Sequence, residues 1–204
     1  MKVNAGHLQY NWWKYLIVVF LPVFLWGSIF NVMARPQEDE RLNILFIGDK
    51  LDNVSLQQAL QEYIPQHTQQ ELKQIRVVSE YLPDAHYGQK MTTNSYEFDL
   101  IIVAQSFMRE NTGQFFRRLP MDGLSGYESA KYHHEQVEGG DYSAPFGFVL
   151  WEPGVKNTFG EYYSGTEICY LFFSTESVNL YPLFEESKEG NNAAVVALDF
   201  LMKK

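Results

Sequence analysis

The chain has 204 residues, a net charge of −9 and 46% hydrophobic residues, 16% of the total being aromatic. That composition excludes a disordered chain. The charge is unevenly placed: residues 1–34 hold Lys2 and Lys14 and no acid, leaving 14 basic against 25 acidic residues, a net −11, for the rest. An acidic domain is repelled by phosphate backbones, so nucleic acid is not an expected partner. The single cysteine, Cys169, rules out an intrachain disulfide; set in the apolar run Ile168–Phe173, it reads as a small buried residue.

In chain order, residues 1–14 form a short tail, expected to be cytoplasmic. Residues 15–33, YLIVVFLPVFLWGSIFNVM, carry no charge over 19 positions. That is the length of a helix crossing a bilayer core, so the lipid bilayer is the expected partner of residues 15–33. Tyr10, Trp12, Trp13 and Tyr15 cluster at its front as an interfacial belt, and Pro22 is tolerated in such a helix. A cleaved signal peptide is the alternative, with Val32-Met33-Ala34 as the cleavage region. The apolar run is longer than the usual signal core of about 7–15 residues, which favours an uncleaved anchor. Lys2 and Lys14 before it, and Arg35, Arg41 and Lys50 after it, leave the basic-residue count near a tie.

Residues 34–41 are a polar linker, and 42–204 a soluble α/β domain of ordinary single-domain size. Leu42–Gly48 is an apolar run ending in glycine, as in a central parallel strand. Ser55 and Gln58 have the spacing of a capping box; Leu56, Ala59, Leu60, Tyr63 and Ile64 then follow at helical spacing until Pro65 weakens or ends the helix. Ile75–Tyr81 and Asp99–Ala104 read as a second and third strand, and Ser106–Leu119 as a helix interrupted at Gly113. Pro120–Gly147 holds five glycines and two prolines without periodicity, a long loop for a compact domain. Phe146–Trp151 and Ile168–Ser174 are two more strands, and Asn192–Lys203 a closing helix with Ala194, Val195, Leu198 and Leu201 on its buried face. The alternation predicts a single three-layer-like α/β domain with a mostly parallel central sheet, preceded by one transmembrane helix. Ile44, Phe46, Leu100, Ile102, Leu171 and Phe173 are its expected core.

Motifs for catalysis are missing their reactive groups. Gly48-Asp49 is followed by Lys50 where a Gly-Asp-Ser elbow would carry its nucleophile. Asp99–Ala104 ends in alanine where a phosphoacceptor strand would carry aspartate. There is no GxGxxG and no phosphate loop ending in Lys-Ser/Thr. His133-His134-Glu135 has the ligand types for a metal but not the spacing, because adjacent histidines on a strand point apart. No catalytic residue, metal or cofactor is expected.

Four stretches carry a resemblance: Leu42–Gly48 with the helix after it; Tyr96-Glu-Phe-Asp99 running into Leu100–Val103; Tyr142-Ser-Ala-Pro145-Phe-Gly147; and Tyr170–Ser177 with the closing helix. Together, residues 42–203 resemble one lobe of a bacterial extracellular solute-binding protein of the type II, ABC-transporter-associated class. Family members insert a second lobe between the halves of the first, and here Pro120–Gly147 is far too short to hold one. The resemblance implies a membrane-tethered extracellular binding or accessory module, N-terminus cytoplasmic, associated with the permease subunits of a sugar importer. A structural or partner-docking ectodomain with no small ligand remains the alternative. In open α/β sheets, ligands sit beyond the carboxyl ends of the strands. That rule selects Asp49, Lys50, Gln105, Ser106 and Phe107, with Trp151 as a stacking face for a carbohydrate.

Overall fold

The computed structural model describes residues 5–33, 36–82, 87–120, 124, 126–137, 143–184, 187 and 189–204. Within 5–33, side chains are described for 12–14, 16–28 and 30. The chain divides into two compact units, residues 1–36 and 37–204.

The first unit is helix α1, Ala5–Met33, with Pro22 inside it. Its described apolar side chains are exposed, among them Trp12, Val18, Phe24 and Trp26. Among the described residues no helix is long and apolar enough to cross a membrane. The transmembrane helix expected at 15–33 is thus not among the structure's findings; a helix with wider bounds is. Arg35 and Ala34 lie outside the described residues.

The second unit is built on one six-stranded sheet. Its elements are β1 (Arg41–Ile47), α2 (Asn53–His67), β2 (Gln74–Glu80), α3 (Tyr87–Glu97), β3 (Leu100–Ala104), β4 (Tyr132–Gln136), β5 (Ser143–Trp151), α4 (Phe159–Tyr162), β6 (Cys169–Phe173) and α5 (Ala193–Met202). The strand order is β2-β1-β3-β6-β5-β4. β2, β1 and β3 run parallel. β6 lies antiparallel to both β3 and β5, and β4 antiparallel to β5.

The sheet is therefore mixed, not mostly parallel, and connection lengths explain why. A parallel pair needs a crossover of about a dozen residues or more, usually helical. α2 and α3 provide such crossovers from β1 to β2 and from β2 to β3. Between β5 and β6 the only helix is the four-residue α4. The chain turns back at the same end of the sheet, and β6 enters antiparallel.

Alternation along the strands sends side chains to two faces. Leu42, Ile44 and Phe46, with Leu100, Ile102, Leu171 and Phe173, face one way and are covered by Leu56, Leu60 and Ile64 of α2 and Leu198 and Leu201 of α5. Leu45, Ile47, Ile101, Val103 and Phe172 face the other way and pack with Met91 of α3, Phe98 and Phe116. Helices on both faces make the layers expected, and all six residues expected in the core are fully buried.

Local details differ from expectation. Asp52, not Ser55, caps α2: its carboxylate accepts from the Ser55 amide at 3.1 Å and from the Ser55 hydroxyl at 2.7 Å. The helix runs through Pro65 to His67, because proline in the last turn forfeits only one hydrogen bond. Ser106–Leu119 is not a helix but holds two short 3-10 turns, Gln105–Phe107 and Thr112–Phe115, with Asn111 left-handed before the second. The stretch expected as one long loop contains β4. Tyr142 of the Tyr-Ser-Ala-Pro motif lies outside the described residues.

At the amino ends of β1 and β3, Asp99 is buried. Its carboxylate accepts from the Asn43 amide at 2.8 Å and from Asn179 Nδ2 at 3.0 Å. Asn179 Nδ2 also reaches the Arg41 carbonyl at 2.9 Å, and its side-chain oxygen accepts from Gln70 at 2.6 Å. This closed polar network ties the start of the domain to β3 and to the turn before α5.

Candidate functional site

The carboxyl ends of β1 and β3 and the end of β5 form one rim, since Ala104 pairs with Cys169 and Cys169 with Trp151. Two concavities open there.

The smaller lies directly beyond β1 and β3, with a volume of about 90 Å³. Asp49, Lys50, Ser106 and Phe107, four of the six residues selected from the sequence, line it together with Tyr163 and Glu167. Its floor is tight: a Cβ at Gly48 would stand 2.9 Å from that of Ala104, where φ is +156°. Lys50 is left-handed, φ 70°, and its carbonyl accepts from the Ser164 amide at 3.0 Å. The cleft is already engaged by the chain's own acid. Glu167 Oε2 accepts from the Ser106 amide at 2.9 Å. The Ser106 hydrogen bonds first, and the Lys50 charge last, hold the Glu167 carboxyl below the usual range. Gln105 is exposed and lines neither concavity; its amide extends the β3–β6 pairing by donating to the Ile168 carbonyl at 2.8 Å.

Trp151 belongs to the larger concavity, a groove of about 790 Å³ between α2, α5 and the α4 segment. Tyr63 of α2, Phe200 of α5 and Tyr162 of α4 stand half-buried around it. The indole is set by two contacts. It packs edge-on against Tyr163, ring centres 5.1 Å apart. Its Nε1 lies 2.7 Å from where a Cβ at position 160 would be, so Gly160 is required by close approach. The α4 segment is held by Asn157, whose side chain donates to the Leu150 carbonyl at 2.7 Å and accepts from the Gly160 amide at 3.0 Å. The Thr158 amide donates to the Lys203 carbonyl at 2.9 Å, tying it to the end of α5. Tyr63 packs on Phe200 at 4.7 Å, with Lys203 Nζ 5.7 Å above its ring. Burial, then the charges of Glu161, Glu62 and Asp52, push the Tyr162 hydroxyl up, keeping it a neutral donor.

A volume of ~300–1,000 Å³ with aromatic walls and a few polar groups is the usual form of a small-molecule site. The sequence located Trp151 but not its neighbours. Tyr63 and Phe200 were read as helix faces and core, and nothing in the sequence brings the C-terminal turns of α2 and α5 together with α4.

Other chemistry-bearing groups lie apart from the two concavities or within the core. Cys169 is fully buried, and burial pushes its thiol up to about 12. His133 and Glu135 share a face of β4, Nε2 to Oε1 2.8 Å, while His134 turns toward Tyr132. Among the described residues no three side chains are grouped to hold a metal. No family model, no curated protein and no solved structure matches this chain.

Proposed function

We propose that the chain is a membrane-tethered binding module, α1 being the tether and the Trp151 groove the binding site for a carbohydrate. The observation that carries this reading is the groove: a half-buried indole with Tyr63, Tyr162 and Phe200 around it and the exposed Gln66, Glu62 and Glu161 in its lining. Sugars present apolar ring faces bounded by hydroxyls. An aromatic platform buries the face while amide, carboxylate and phenol groups meet the hydroxyls.

The tether rests on residues 15–33, uncharged over 19 positions, within a continuous helix Ala5–Met33. At ~1.5 Å per residue the uncharged stretch is about 28 Å long, close to the thickness of a hydrocarbon core. The domain is placed outside the cell, N-terminus inside. The resemblance of residues 42–203 to a solute-binding lobe supports the permease subunits of a sugar importer as partners.

Trp151 is the only tryptophan beyond residue 34, which gives a direct test. With Trp12, Trp13 and Trp26 replaced by phenylalanine, indole emission from the full chain reports on the groove alone. A panel of oligosaccharides is expected to give a saturable change with at least one member. No change with any member at millimolar concentration leaves the domain without a carbohydrate site and favours a partner-docking ectodomain. The tether is tested separately: the protein is expected to stay with membranes after alkaline extraction, whereas a soluble product starting near Arg35 identifies a cleaved signal.

A further inference from the structure

We infer that the saccharide taken by the Trp151 groove is an acidic one, bearing carboxylates of the uronate type; this rests on the carbohydrate reading above and specifies its substrate class. The domain beyond residue 34 carries a net −11, so cations are scarce, and several are paired. Lys73 pairs with Glu40, Lys90 with Glu80 and Lys131 with Glu152. Three of the remaining lysines meet at one place: Lys156, Lys203 and Lys204 all line the groove. Among the described residues none of them has an ion-pair partner. Lys203 lies over Tyr63, and the other two are exposed.

The groove also holds Glu62 and Glu161, and among the described residues neither forms an ion pair with these lysines. Both act on Tyr162, the phenol on the α4 side. The groove thus carries both signs: the charges of Glu161 and Glu62 bear on Tyr162, Lys203 lies over Tyr63, and Lys156, Lys204 and Trp151 share the lining. Uncommitted cations on flexible stems beside an aromatic platform bind a ring that carries a carboxylate, because ring stacking and ion pairing occur on the same sugar unit. A neutral sugar uses the platform and leaves the lysines idle. An approaching polyanion is repelled by the domain as a whole, and the three lysines at the groove locally offset that repulsion.

The experiment uses the full chain with Trp151 as its only indole, in detergent, titrated with trigalacturonate and with neutral galactotriose of the same linkage. Trigalacturonate is expected to bind about tenfold more tightly, a difference of ~1.4 kcal/mol. That preference is expected to shrink as sodium chloride rises from 50 to 500 mM, where screening lengths fall below the reach of a lysine. A combined Lys156→Gln, Lys203→Gln, Lys204→Gln variant is expected to lose the preference while binding galactotriose as before, which also shows that it is folded. Equal binding of both trisaccharides, or a preference that survives the triple variant, overturns the acidic assignment and leaves the carbohydrate reading standing. Binding of neither overturns both.

Discussion

The two concavities on the rim of the sheet share a wall and differ in nearly everything else. Tyr163 lines the small cleft beyond β1 and β3 and packs edge-on against Trp151 in the large groove. The cleft occupies the position where open α/β sheets ordinarily take ligands, yet it holds only about 90 Å³ and its Ser106 amide is bound by Glu167. The groove is displaced sideways, beyond the end of β5, and holds about 790 Å³. Strand direction determines which end of a sheet gathers loops. Loop length and helix ends determine where room is left among them. Here the 17 residues from β5 to β6, Glu152–Ile168, fill the cleft with their second half and wall the groove with their first.

The largest expected effect tests the floor common to both. Ile102 is fully buried in β3 at the middle of the sheet. Ile102→Ala is expected to cost about 2–5 kcal/mol in chemical denaturation and to weaken both concavities together. A loss below about 1 kcal/mol is incompatible with a central strand covered on both faces. Gly160→Val separates the two. Its side chain would overlap Trp151 Nε1, 2.7 Å from the Cβ position, so saccharide binding is expected to be lost at a stability cost of ~1–3 kcal/mol. The cleft, and the Glu167–Ser106 contact within it, should be untouched.

Asp52→Ala removes the cap of α2, whose last turns carry Tyr63 into the groove. A cost of about 1 kcal/mol is expected by thermal or urea unfolding, with groove binding weakened less than in Gly160→Val. The smallest effect belongs to the cleft. The Glu167 carboxyl is held low by Ser106 and Lys50. Its folded-state value lies below its unfolded one, so its contribution is present above the unfolded value and is lost as pH falls through the folded one. Glu167→Gln is expected to flatten that acid limb slightly in pH-dependent melting, without changing saccharide binding.

Strands of both halves were legible, whereas α3 in the parallel half and β4 in the antiparallel half were not. β1, β3 and β6 are buried apolar runs, so continuous hydrophobicity announced them. α2 and α5 carry apolar residues at helical spacing. α3, by contrast, buries Met91 with Asn94 and Ser95, so its covering face lacks the apolar stripe that marks a helix. β4 is an edge strand of polar residues, Tyr-His-His-Glu-Gln, in which one face is partly exposed and no apolar run forms. Its register also shifts between His133 and His134. The mixed direction of the sheet was hidden for a related reason. It depends on α4 being too short to serve as a crossover, in a segment held locally by Asn157 and across the fold by the Lys203 carbonyl.

The candidate site divides the same way. Asp49, Lys50, Ser106 and Phe107 come together because they follow adjacent parallel strands, a relation the strand pattern contains. Trp151 ends a strand at the same rim, but β6 lies between β3 and β5. One intervening strand moves the indole out of the cleft and into the groove.

Calorimetric titration of trigalacturonate into three forms of the full chain distinguishes the two concavities most directly: the native sequence, Trp151→Ala, and Lys50→Ala combined with Ser106→Ala. Binding in the groove predicts that Trp151→Ala loses at least about tenfold in affinity while the double variant binds as the native chain does. The reverse pattern, with Trp151→Ala unaffected and the double variant impaired, contradicts it and returns the site to the cleft beyond β1 and β3.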